Sequence, residues 1–97
     1  MTAKEAYKQK IEAEVELAQA KLAELKAQAK NSAADANIKY ATQIEELEHG
    51  VDATKVKLKE MGNAGDDNWE RIKDGVENAW NTVSAAVRDT AAKFKNA

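Results

Sequence analysis

The chain contains no cysteine and no proline. The first absence excludes disulfides, thiolate zinc sites and cysteine nucleophiles, and it fits a reducing compartment. The second removes the strongest helix breaker. Glycine occurs only four times, and aromatic residues make up 5% of a chain that is 43% hydrophobic. Burial must therefore rely on small and aliphatic side chains, arranged as a seam instead of a broad core. An excess of one charge is lacking too: 15 Lys and Arg face 17 Asp and Glu, intermixed along the chain, for a net charge of −2. That pattern forms no basic face of the kind nucleic acid requires, so no nucleic-acid partner is expected. No stretch approaches the ~20 apolar residues of a bilayer span, and the opening MTAKEAYKQK has no apolar signal core. A cytoplasmic protein is expected.

What is present in quantity is alanine, glutamate and lysine, the bias of long helices and coiled coils. The main punctuation is Gly62-Asn63-Ala64-Gly65-Asp66-Asp67-Asn68, which reads as a turn between helices. Gly62 suits a helix C′ position with positive φ, and Asp66 or Asp67 suits an N-cap ahead of Glu70.

A heptad counted from Ile11 lands on Ala18 and Leu25 but then on Ser32, Lys39 and Glu46. An eleven-residue repeat holds better: Tyr7, Ala18, Ala29, Tyr40, Val51; Ile11, Leu22, Ala33, Ile44; Leu25, Ala36, Leu47, Leu58, with Glu14 and Lys55 as charged exceptions. After the turn the same period runs through Trp69, Trp80, Ala91; Ile72, Val83, Phe94; and Val76, Val87. Such a hendecad has about 3.67 residues per turn, which disfavours a left-handed zipper.

The expected fold is all-α, a single domain over residues 1–97. A long helix over 3–61, a turn at 62–67 and a second helix over 68–94 would form an antiparallel helical hairpin with hendecad coiled-coil packing. The second helix would pack on Val51, Leu58 and Met61 through Trp69, Ile72, Val76, Trp80, Val83, Val87 and Phe94, with Trp80 opposite Gly50. The long helix would span ~90 Å at ~1.5 Å per residue, leaving its N-terminal half uncovered. Oligomerisation is therefore expected, a homodimer first. Its self-association residues would be Ile11, Leu22, Leu25, Ala29, Ala33, Ala36, Tyr40, Ile44 and Leu47, meeting antiparallel near Ala33. Two alternatives shorten the long helix: a break after Glu48-His49 at Gly50, giving three helices and a more compact fold, and a second, weaker break at Asn31-Ser32.

Candidate chemistry is sparse. His49 shares a helical face with Glu45 and Asp52 at a spacing that suits a weak divalent ion, but the stretch reads more simply as a solvated acidic face. Ser32 and Ser84 lie in no nucleophile elbow, and Gly62–Gly65 is followed by no Lys-Ser/Thr pair of a phosphate loop. No catalytic residue, metal or cofactor is expected. Trp69 and Trp80, with Arg88, Lys93 and Lys95, would suit an amphipathic helix on a membrane. Core packing is the favoured account, because both indoles sit on the apolar stripe with Ile72, Val76 and Val83, and Asp66, Asp67, Glu70, Asp74 and Glu77 would repel anionic headgroups.

The opening KEAYKQKIEAEVE, the central YATQIEELEHGVDATKVKLKEM and the closing GDDNWERIKDGVENAWNTVSAAVRDTAAKFK resemble a family of small bacterial coiled-coil proteins. That family ends on a D-x-W-E-x-x-K-x-G-x-E-x-A-W-x-x-x-x-x-A signature, carried here by Asp67, Trp69, Glu70, Lys73, Gly75, Glu77, Ala79, Trp80 and Ala86. The resemblance covers nearly the whole chain and implies a stress-response role without a molecular activity. The period and the segment DTAAKFK are also similar to late-embryogenesis-abundant proteins and phasins. The expectation is a non-enzymatic structural or interaction protein, self-associating, with an unidentified protein or membrane surface as a further partner. The alternative is an amphipathic-helix protein that binds lipid or granule surfaces.

Overall fold

Alternation of apolar and charged residues at helical spacing, with no proline to interrupt it, produces helix almost throughout. The structure, a computed structural model, describes residues 2–32 and 34–95. It is all-helical: α1 (Ala3–Lys30), α2 (Ala34–Asn63) and α3 (Trp69–Lys95), with no strand among the described residues. The first helix opens on a cap, since Thr2 accepts the Glu5 amide at 3.2 Å. The T-x-x-E spacing of Thr2 and Glu5 is the sequence form of that cap.

The single helix expected over 3–61 is two helices. The break falls at Asn31-Ser32, the weaker of the two sites, and α2 continues through Gly50. Asparagine and serine compete for backbone groups and so favour helix ends. Ser32 Oγ donates to the Ala29 carbonyl at 2.6 Å, while the Asn31 and Ser32 amides donate to Gln28 and Ala29, each at 3.1 Å. Folding back there also covers the stripe that one extended helix would leave in water, which is where most helical stability in proteins originates.

The second turn is later than expected. Gly62 and Asn63 remain helical, and no described glycine has positive φ. The Gly65 carbonyl receives the amides of Asn68 and Trp69, at 3.0 and 3.2 Å. Backbone closes this turn where an aspartate cap was expected.

Two reversals place α2 antiparallel to both neighbours and α1 parallel to α3. Lys4 Nζ reaches the Ala64 carbonyl at 3.1 Å at one end of the molecule, and the rings of Tyr40 and Phe94 meet edge to face at 4.3 Å at the other. The result is a rod of 51 × 19 × 16 Å. Its core is a line of Ile11, Val15, Ala18, Leu22, Leu25 and Ala29 from α1, Ile44, Val51, Leu58 and Met61 from α2, and Val76, Trp80 and Val87 from α3. Each large aliphatic member contributes about 1.5–3 kcal/mol by leaving water.

Within each helix the buried positions alternate steps of four and three: Ile11, Val15, Ala18, Leu22, Leu25, Ala29 in α1, and Val51, Thr54, Leu58, Met61 in α2. That is the four-and-three spacing of a heptad, in place of the expected eleven-residue period. The heptad fails only when counted through Asn31-Ser32, where the chain turns and the pattern restarts.

Candidate interaction faces

Of the residues expected to mediate self-association, those described are buried or half-buried within the chain. Ile11, Leu22, Leu25, Ala29 and Ile44 are buried, and Tyr40 and Leu47 pack half-buried against the core. Ala33 lies outside the described residues, as does the side chain of Ala36. Of the positions expected to pack the hairpin, Val51, Leu58, Met61, Val76, Trp80 and Val87 are buried, while Trp69, Ile72, Val83 and Phe94 lie at the core's margin.

Gly50 does provide a close approach, but to a different side chain. A Cβ added there would lie 2.8 Å from Val83 Cγ2. Trp80 instead turns toward α1. Its indole Nε1 donates to Glu14 Oε1 at 3.3 Å, which accounts for a carboxylate standing on an apolar stripe. One step along the same parallel seam, Lys73 Nζ sits 5.0 Å from the centre of the Tyr7 ring, a cation–π contact. Both pairs have the same separation along the chain, so α1 and α3 keep one register over this stretch.

Tyr7 is the polar exception in this seam. Its hydroxyl is shielded from solvent and has no hydrogen-bond partner. Burial, helped by the negative charges of Glu77, Glu14 and Asp74, pushes the phenol up from 10.0 to about 12. Neutral phenol is the form that tolerates this environment.

Two threonines, Thr54 and Thr90, occupy core positions that an apolar pattern does not flag. Thr54 Oγ1 donates to the Gly50 carbonyl at 3.0 Å, so its hydroxyl is satisfied inside its own helix. Three large apolar residues also escaped the pattern because they lie off the stripe: Leu17, Ile38 and Val56, which are 73%, 69% and 59% exposed. Between α1 and α2 a groove of about 340 Å³ has Val15 and Leu58 on its floor and Lys8, Glu12, Lys55 and Lys59 along its rims. Mixed charges around a short apolar floor suit a helical or peptide surface better than an enclosed small molecule.

His49, Glu45 and Asp52 are all exposed. Among the described residues no group of three or more His, Cys, Asp or Glu side chains is placed to hold a metal ion. The Ser32 and Ser84 hydroxyls donate to the backbone carbonyls of Ala29 and Asn81. Among the described residues no helix is long and apolar enough to cross a membrane. No protein-family model matches the chain, and neither a curated protein nor a solved structure is significantly similar to it.

Proposed function

We propose that the protein is a non-enzymatic structural and interaction protein, a self-associating helical bundle acting in the cytoplasm in bacterial stress physiology. The observation that carries this reading is how the side chains are allocated. The core residues of all three helices line one seam along a 51 Å rod. The outer faces carry lysine and glutamate of both signs together with the exposed Leu17, Ile38 and Val56. A long mixed-charge face with scattered apolar points is suited to docking helices and proteins. The serine hydroxyls are engaged in helix backbone bonds and the histidine is solvated, which supports a role without catalysis. The likeness to small bacterial coiled-coil proteins supplies the stress context.

Sedimentation equilibrium with far-ultraviolet circular dichroism across a wide dilution series tests the reading. A helical species whose mass rises with concentration is expected. A mass of one chain at every concentration would remove self-association from the proposal.

A second reading has its own observation. In α3 the apolar side chains Val76, Trp80 and Val87 occupy one face, while Glu77, Asn78, Asn81, Arg88 and Asp89 occupy the other. A helix so divided can leave the bundle and lie on a lipid or granule surface. Co-sedimentation with zwitterionic liposomes, with helicity kept, is the result expected of that reading; protein left wholly in the supernatant excludes it.

A further inference from the structure

The turn between α1 and α2 is made without any residue that compels a turn. From Gln28 to Asn37 the sequence is QAKNSAADAN, with neither glycine nor proline. Asn31 has φ −92° and ψ 0°, on the right-handed side of the map. The bonds that end α1 are short-range ones, Asn31 amide to Gln28 and Ser32 amide to Ala29. Straightening this end exchanges each bond for one reaching a residue further back, with no crossing to the left-handed region.

The core positions have a relationship that a turn does not require. Val15 and Val51, Ala18 and Thr54, Leu22 and Leu58, and Leu25 and Met61 are all buried. Each pair is separated by the same step in the sequence, equal to about ten whole turns at ~3.6 residues per turn. Were α1 and α2 one continuous helix, their two buried stripes would lie on the same face. Two helices joined by a loop are free to have any phase. These have the phase that a straight helix needs to present one uninterrupted seam.

We infer that the chain exchanges α1 with a second copy of itself. Residues 3–63 straighten into one helix, and two chains pair antiparallel about Asn37, midway in the sequence between Lys26 and Glu48. Each α1 then occupies, on the partner's α2 and α3, the place it occupies on its own in the closed form. The contacts are unchanged in kind: Leu22 and Leu25 enter the partner's core, Glu14 meets the partner's Trp80, and Lys26 meets the partner's Glu48. The open form adds helical bonds across the hinge, and association entropy opposes it, so concentration selects between the two. This inference rests on the self-association proposed above and specifies its mechanism.

The test uses the Lys26–Glu48 ion pair, whose Nζ and Oε1 lie 3.5 Å apart. Equal amounts of nitrogen-15-labelled and unlabelled full-length chain are unfolded together, refolded over a concentration series and coupled with a carbodiimide, which joins amine to carboxylate. In the exchanged dimer, half of the Lys26–Glu48 cross-linked peptides carry one heavy and one light segment. The longest dimension in solution scattering rises from 51 Å to about 90 Å, the length of the straightened helix. Asn31→Ala with Ser32→Ala should tighten the dimer at least about tenfold through better helix propensity at the hinge. Insertion of Gly-Gly-Ser-Gly after Ser32 should loosen it while helicity is retained. A dimer whose cross-links stay all-heavy or all-light overturns the exchange but leaves self-association standing. A mass of one chain at all concentrations, including for the double alanine variant, overturns both.

Discussion

The Trp80 indole donates its one N–H to Glu14 across 3.3 Å, joining α3 to the parallel helix α1 at the middle of the rod. The indole is buried and the carboxylate half exposed, so the bond has a protein side and a water side. Hydrogen bonds to a charged acceptor contribute about 1.5–3 kcal/mol when well enclosed, and the open side here lowers that to about 1 kcal/mol. Glu14→Ala should cost about that much in urea unfolding. In a Trp80→Phe background, where the donor is gone, the same change should cost nearly nothing. Equal losses in the two backgrounds would show that Glu14 acts on its own helix and not through the indole.

Gly50 leaves room for Val83 of α3 against the backbone of α2. An added methyl would meet Val83 Cγ2 at 2.8 Å, and a β-branched side chain in a helix has little rotameric freedom to withdraw. Alanine gains about 1 kcal/mol over glycine in helix propensity, whereas overpacking costs about 1–3 kcal/mol. Gly50→Ala should therefore come out destabilising by about 1 kcal/mol. Combined with Val83→Ala it should become stabilising relative to Val83→Ala alone. A melting temperature that rises in the Gly50→Ala single variant would sink the close-contact account.

Gly75 is the converse case. It lies inside α3, and a Cβ there meets nothing within 4 Å. Gly75→Ala should stabilise by about 1 kcal/mol, a rise of roughly 4–8 °C in melting temperature for a domain of this size. A fall would contradict the open space found around Gly75.

Tyr7 sets an alkaline limit. Its phenol titrates at about 12 in the folded chain against 10.0 in the unfolded one, chiefly through burial. Below pH 10 both states hold the proton and the contribution is constant. Between pH 10 and about 12 the unfolded state loses its proton first, so stability falls as pH rises through that window. Tyr7→Phe should flatten this part of the stability profile. It should cost little at neutral pH, because the hydroxyl it removes has no partner. A phenolate absorbance titration of the Tyr40→Phe variant in which Tyr7 ionises near pH 10 would contradict the burial.

The helical class was legible because composition and period agree across the chain. Two features were not legible, for identifiable reasons. The eleven-residue repeat followed the phase of the apolar stripe through Asn31-Ser32 and so concealed a reversal there. Val15 with Val51 and Leu22 with Leu58 have the phase of a straight helix although the chain turns between them, so the stripe reads as continuous. Trp80 stands opposite Gly50 only if the chain reverses once. Once the chain reverses twice, α1 and α3 run parallel, and Glu14 becomes reachable. Glu14 itself was visible as a charge on an apolar stripe, and a charge in that position signals a nearby donor.

The parallel run of α1 and α3 also decides how the rod carries load. Lys4 lies beside the second turn and Phe94 beside Tyr40 at the far end, so the start of α1 and the end of α3 lie at opposite poles of a 51 Å body. Tension applied through those two points acts along the long axis and slides the α1/α3 seam in shear. The Tyr7–Lys73 and Glu14–Trp80 contacts then resist together, where a hairpin with both ends at one pole would unzip one turn at a time. The molecule is in this sense a strut, stiff along the line joining its ends.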